Sequence, residues 1–348
     1  MLATSCAPEL RRPELRPKEH PRTDYVELSR VLDCDIVDYA IYDGSRAWSR
    51  YRSFERRLRL DFHLALVGYR RARKYDVVLL MSELVAIPFM MLQKLMGRRA
   101  ATVYVSAHSS GKQAKLVRSL GLFGSLDIAV SNTHAQRDFF VQEMRIPEDR
   151  IRYVLYAADE QFYTPAQTAS QSDFVFSAGG VRGRDYPVLF EAVRGLPVRV
   201  RIAAGGRLYA LGAARELPPL PENVELLPHM DSAAMRELYR QAAVVAVPVP
   251  GDRKDAAGCS VVLEGMACAK PVIASGTSGM GDYISSEETG LLAGPGDSSA
   301  LRDAIVSALD SPELRATLGR RARAESETRL SLARLVSGLA DAVEEAAG

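Results

Sequence analysis

At 348 residues, 47% of them hydrophobic and 25% charged, the chain has enough apolar material for a buried core and the length of about two domains. A net charge of +2 excludes the chain-wide basic bias of a general nucleic-acid binder. No apolar run reaches the ~18 residues of a membrane span, and "MLATSCAPELRRPELRPKEHPR" has no apolar leader segment, so a cytoplasmic protein is expected.

Charge is unevenly spread. Residues 1–160 carry 26 Lys/Arg against 20 Asp/Glu, and the remainder carries 19 against 23. Ten of the basic residues fall between Arg46 and Lys74. Cys6, Cys34, Cys259 and Cys268 form no CxxC pair, which predicts reduced thiols and no zinc site.

From the N-terminus, "MLATSC" reads as the start of a buried strand. Further strands are expected at Cys34–Tyr39, Val77–Ser82, Ala101–Ala107, Asp127–Ser131 and Ile151–Tyr156. The "DCD" at Asp33–Asp35 reads as a turn rather than a metal ligand set. Residues 47–71 form the longest helical pattern, with Trp48, Tyr51, Leu58, Phe62, Leu66 and Tyr69 near one face and arginines over much of the rest. That face reads first as solvated, with peripheral contact to an anionic membrane as the sharper alternative.

Residues 159–173, "DEQFYTPAQTASQSD", have the polar, aperiodic composition of a linker. Beyond it come strands at Phe174–Ala178, Val198–Ala203, Val244–Val247 and Val272–Ala274. Apolar strands alternating with helices predict two parallel α/β domains, with ligands at the carboxyl ends of the strands.

Two glycine-rich turns follow strands in the second half. "SAGGVRGRDYPVLFEAV" places Gly180, Arg182 and Arg184 before a helix, a pattern suited to pyrophosphate. "GCSVVLEGMACAKPVIASG" opens a helix at Gly258, Cys259 and Ser260, with Glu264 one turn inside. An acid so placed repels phosphate but can accept hydrogen bonds from the vicinal diol of a ribose, while amides at the helix start take the phosphates.

Four segments in order resemble the C-terminal domain of the family-4 glycosyltransferases, retaining enzymes of the GT-B fold. They are the two above, "NVELLPHMDSAAMRELYRQAAVVAVP" and "ETGLLAGPGDSSALRDAI". In the first half "SNTHAQRDFF" and "IPEDRIRYVLYAADEQFYTP" are similar to the end of that family's acceptor domain.

The resemblance implies two Rossmann-like domains facing across a cleft. Residues 1–165 would bind the acceptor, residues 166–330 the nucleotide sugar, and a C-terminal helix in 331–348 would pack back on the first domain. It gives Glu264 the ribose hydroxyls, Arg184 and Arg182 the pyrophosphate, and the backbone near His229 and Met230 the base. His108, in "VYVSAHSS", would stand near the acceptor or the transferred sugar.

The expected reaction is retaining transfer of a sugar from a nucleotide diphosphate to an acceptor hydroxyl, on a lipid or a glycan, without metal or other cofactor. The pattern departs from the family where its first donor-site glutamate should stand: that position is Ala256, with Asp255 adjacent as the substitute. The pyrophosphate pair is Arg and Arg, and no glycine-rich acceptor loop follows the first strand. A nucleotide-sugar epimerase and a non-catalytic nucleotide-sugar-binding protein are the alternatives.

Overall fold

In the computed structural model the described residues are 1–4, 20–39, 55, 60–105, 117–167, 174–180, 183–204, 217–228, 230–251, 253 and 256–348. They form two compact units. One takes in Arg22–Leu155 with the N-terminal strand and Leu335–Gly348; the other takes in Tyr156–Arg334.

The first unit holds β1 (Leu2–Ala3), α1 (Asp24–Val31), β2 (Ile36–Val37), α2 (Phe62–Arg71), β3 (Val77–Leu80), α3 (Glu83–Met96), β4 (Ala101–Val105), β5 (Ile128–Ser131), α4 (His134–Gln142) and β6 (Ile151–Tyr153). The strands form one parallel sheet in the order β2-β1-β3-β4-β5-β6. The "VVLL" of β3 and the "IAVS" of β5 are buried at every position. Such sequences suit strands covered on both faces, where burial favours apolar β-branched side chains regardless of alternation. Within this unit Arg152 donates its Nε to Glu345 Oε2 at 2.6 Å, tying the C-terminal residues to the end of β6.

Of the predicted basic helix, residues 47–54 and 56–59 lie outside the described residues. The described part, α2, follows Asp61 and buries Leu64, Ala65, Gly68 and Tyr69. Phe62 and Leu66 are only half-buried, so the inward face is rotated from the one read in the sequence. Asp33, in the "DCD", has φ +45 and occupies a turn.

The second unit contains β7 (Phe174–Ala178), α5 (Tyr186–Val193), β8 (Arg199–Ala203), β9 (Val224–Leu226), α6 (Ser232–Gln241), β10 (Val244–Val247), α7 (Cys259–Ala267), β11 (Val272–Ser275), β12 (Leu291–Ala293), α8 (Ser298–Asp310) and α9 (Pro312–Glu327). Its parallel sheet runs β12-β11-β10-β7-β8-β9. This is the Rossmann order, reversing direction between β7 and β10, and such a reversal opens a crevice at the carboxyl ends of the two central strands. A last helix, α10 (Leu332–Ala347), ends the chain.

Local chemistry fixes where the helices of this unit begin. The side chains of Asp231, Asp297 and Ser311 accept from the backbone N–H of Ala234, Ala300 and Leu314, capping α6, α8 and α9. Each such cap is worth about 1 kcal/mol. Ser311 also closes α8, and Pro312 starts the next helix, so a single residue separates the two.

The stretch read as a linker is in part core of this unit. Asp159, Glu160, Phe162 and Tyr163 are 5, 9, 4 and 5% exposed. Glu160 accepts from the backbone N–H of Leu332 at 3.0 Å, and the Phe162 and Tyr163 rings pack edge to face. Polar composition hid an aromatic pair whose carbonyls are satisfied by distant arginines.

Candidate donor-nucleotide site

Two chain crossings meet at the switch point. At the end of β7, Gly179 takes φ +119, a conformation open to residues without Cβ. The turn folds back so that Arg184 donates Nε to the Ala178 carbonyl at 2.8 Å and Nη1 to the Gly183 carbonyl at 2.8 Å. The Tyr186 hydroxyl closes the turn on the Gly179 carbonyl at 2.6 Å. At the end of β10 the Pro248 carbonyl accepts from the Asp185 N–H at 3.0 Å, which joins the two loops directly.

Asp185 then caps α5 through the Val188 N–H, so the N-terminus of that helix opens at the switch point. The α7 N-terminus opens there too. Its N-cap, Gly258, has φ +95, and a Cβ at that position would lie 3.0 Å from Val247 Cγ1 and 3.1 Å from Val249 Cγ2. Gly258 has no side chain with which to cap this end. The Cys259 N–H donates to the Ala256 carbonyl at 3.0 Å. Cys259 is buried, Ser260 is exposed, and Ala256 lies half-exposed in the turn ahead.

Glu264 stands one turn into α7, the one half-buried position in a run of buried ones. Its Oε2 accepts from the Tyr239 hydroxyl at 2.6 Å, and the Tyr163 ring stands edge to face with that of Tyr239 beside it. Burial pushes its carboxyl up to about 7, against the opposing pull of the two hydroxyls and of the nearby Arg184 charge. Burial also lowers the Arg184 guanidinium from its usual value, and Glu264 is among the neighbours that oppose the shift. An acid and a guanidinium from opposite sides of the switch point therefore face each other electrostatically.

The structure thus brings Gly180, Arg184, Gly258, Cys259, Ser260 and Glu264 to the carboxyl ends of the two central strands. Met230, half-buried, follows the edge strand β9 on the same side of the sheet. Arg182, His229, Asp255 and His108 lie outside the described residues. Sequence reasoning passed over Tyr163 and Tyr239. The available signal was the tyrosine of "RELYRQ" on the apolar face of its helix, and the "FY" pair inside a polar stretch. Among the described residues no group of three or more His, Cys, Asp or Glu could hold a metal ion.

Residues 174–325 match the family model described as Glycosyl transferases group 1. The match falls entirely within the second unit. A D-inositol 3-phosphate glycosyltransferase of Saccharomonospora viridis is 30% identical over 63% of this chain and 56% of its own. The chain spans about half the length of the curated relatives it matches.

Among solved structures, a glycosyltransferase from Rickettsia africae superposes with a TM-score of 0.67 at 16% identity, over 99% of this chain and 97% of the other. Anabaena Alr3699/HepE, solved with UDP and glucose, superposes with a TM-score of 0.67 at 18% identity over 81% of each chain. What the chain shares with these structures is the fold, an α/β architecture with two six-stranded parallel sheets. Among the described residues no helix is long and apolar enough to cross a membrane.

Proposed function

We propose that the chain transfers a sugar from a nucleotide diphosphate to an acceptor hydroxyl with retention of configuration, as a family-4 enzyme. One observation carries this reading. Glu264 and Arg184 stand at the switch point of a Rossmann sheet, beside two helix N-termini and inside the residues that match the glycosyltransferase model. Glu264 accepts the ribose hydroxyls. The guanidinium donors of Arg184 not spent on the Ala178 and Gly183 carbonyls, together with Arg182 and the α7 N-terminus beyond Cys259, take the pyrophosphate. The loop around His229 and Met230 borders the base.

Chemistry follows from that placement. The arginines and helix amides stabilise the charge that grows on the departing diphosphate. The acceptor hydroxyl attacks the anomeric carbon on the face the leaving group vacates, and the departing phosphate oxygen takes its proton. His108 lies near the acceptor, and Asp255 stands in for the carboxylate absent at Ala256. Positive charge on the diphosphate comes from side chains and backbone, so the reaction is proposed to need no divalent metal.

The acceptor is a lipid or glycan hydroxyl. Peripheral contact with an anionic membrane in the cytoplasm is proposed for the basic stretch whose described end, Arg70, Arg71, Arg73 and Lys74, is exposed. Vesicle sedimentation at low and high salt tests that part.

Transfer of label from UDP-glucose and other nucleotide sugars to lipid and glycan acceptors, with and without excess chelator, tests the activity. Transfer that persists in chelator is expected. Isomerised donor with no transfer would make the chain an epimerase, and nucleotide binding without turnover would make it a binding protein. The absence of a carboxylate at Ala256 is the feature that favours the last.

A further inference from the structure

We propose that Tyr163 and Tyr239 are positioning residues of the donor site, which together aim the Glu264 carboxylate at the ribose. The proposal rests on the reading of Glu264 as the ribose residue and adds the groups that make it competent.

A carboxylate on a flexible side chain in a half-buried setting faces two difficulties. It must be fixed in one rotamer, and it must keep its charge against desolvation. Hydroxyls meet the first here and offset part of the second. Tyr239, wholly buried on α6, donates to Oε2 at 2.6 Å. Tyr163 approaches from a different segment, its ring edge to face with Tyr239, centroids 6.0 Å apart, and its hydroxyl adds to that of Tyr239 in lowering the carboxyl's pKa. Phe176 of β7 packs against the other side of Tyr239, centroids 5.0 Å apart at 89°. An ionised carboxylate offers about four acceptor positions, so two donors leave room for both hydroxyls of a diol.

The tyrosines are themselves anchored. Arg323 of α9 donates Nη1 to the carbonyls of Glu160 and Tyr163 at 2.8 and 2.9 Å, and to that of Ala267 at 2.7 Å. One guanidinium therefore fixes both the backbone that carries Tyr163 and the last turn of the helix that carries Glu264. Arg240 donates Nε to the Thr164 carbonyl at 2.7 Å, holding the next residue. Groups locked before the ligand arrives cost little ordering when it binds.

Hydrogen bonds to the ionised form lower a carboxyl's pKa, so deleting a hydroxyl moves Glu264 further toward neutrality. The other groups that interact with this cluster include Arg184, whose charge favours ionisation, Asp159, which acts on Tyr163, and the Cys259, Cys268 and Tyr186 side chains. Burial pushes the Cys268 thiol up to about 12 and the Tyr186 hydroxyl above its usual value, so both stay neutral at ordinary pH.

The test is calorimetric titration of Tyr163→Phe and Tyr239→Phe with UDP and with 2′,3′-dideoxy-UDP from pH 6 to 8.5, beside the wild type and Glu264→Ala. Phenylalanine keeps the ring packing, and the two variants probe the clamp from independent elements. Each Phe variant is expected to lose about three- to tenfold in UDP affinity at pH 7, with the loss shrinking as pH rises and no change for the dideoxy nucleotide. Equal losses for both nucleotides, or wild-type affinity and pH profile in both Phe variants, would overturn the proposal while leaving Glu264 in place. Glu264→Ala with an unchanged ratio of UDP to dideoxy-UDP affinity would instead remove the ribose reading, and this proposal with it.

Discussion

Gly179 and Arg184 occupy each other's space: a Cβ on Gly179 would fall 2.7 Å from both Cζ and Nη2 of the arginine. The guanidinium lies over the end of β7 only because nothing stands there. Gly179→Ala is therefore expected to push Arg184 off the Ala178 carbonyl and to strain a residue with φ +119, at a cost of about 1–3 kcal/mol. UDP affinity falls with it. Thermal unfolding and UDP titration of the variant check this; wild-type affinity in a folded Gly179→Ala protein would take Arg184 out of the diphosphate site.

Glu264 links stability to pH in the direction opposite to that of an ordinary salt-bridged acid. Its folded pKa, about 7, lies above the ordinary 4.5. Below pH 4.5 both folded and unfolded chains hold the proton, and its stabilising contribution is complete. Between 4.5 and 7 the unfolded chain releases the proton first, so stability declines and the contribution is gone above about 7. Its size is on the order of 3 kcal/mol before discounting for the carboxylate's solvent contact. Glu264→Gln should flatten this slope and be the more stable protein at pH 8. UDP binding runs the other way, strengthening through pH 7 as the acceptor ionises. Thermal shift against pH, with and without UDP, reads both trends.

Arg323 satisfies three carbonyls from two chain segments, and no single smaller side chain can replace it. Arg323→Met keeps the stem but leaves those oxygens without their donor, at about 1–3 kcal/mol for a buried group left unpaired. A lowered urea midpoint is expected, with UDP affinity reduced because Tyr163 and α7 are no longer tied together. An unchanged midpoint would show that water replaces the guanidinium at no cost.

The strands were legible in the sequence because they are buried on both faces. "FVFSA" and "VVAV" cannot be hidden in any other way, and β7 and β10 lie where their composition places them. The site was legible where backbone demands a residue type: Gly258 at a left-handed N-cap, and Glu264 as an acid in a helix of small and apolar side chains. Tyr163 was not legible. Its role depends on Arg323, 160 residues away, and on a carboxylate in a third segment, and local composition holds no trace of such distant partners. The two-residue strands β1 and β2 fall inside the stretches read as strands, "MLATSC" and Cys34–Tyr39; what the sequence does not show is their register, set by β1 pairing with β2 and with β3.

The reading of the second unit as a donor site stands most directly on Glu264. Calorimetry of wild-type and folded Glu264→Ala protein against UDP and UDP-glucose measures it. The ribose is common to both ligands, so both affinities should fall together by roughly ten- to a hundredfold, the value of about 1.5–3 kcal/mol for hydrogen bonds to a charged group. Glu264→Gln, which keeps an acceptor oxygen, should lose less. UDP binding unchanged by Glu264→Ala would contradict the account.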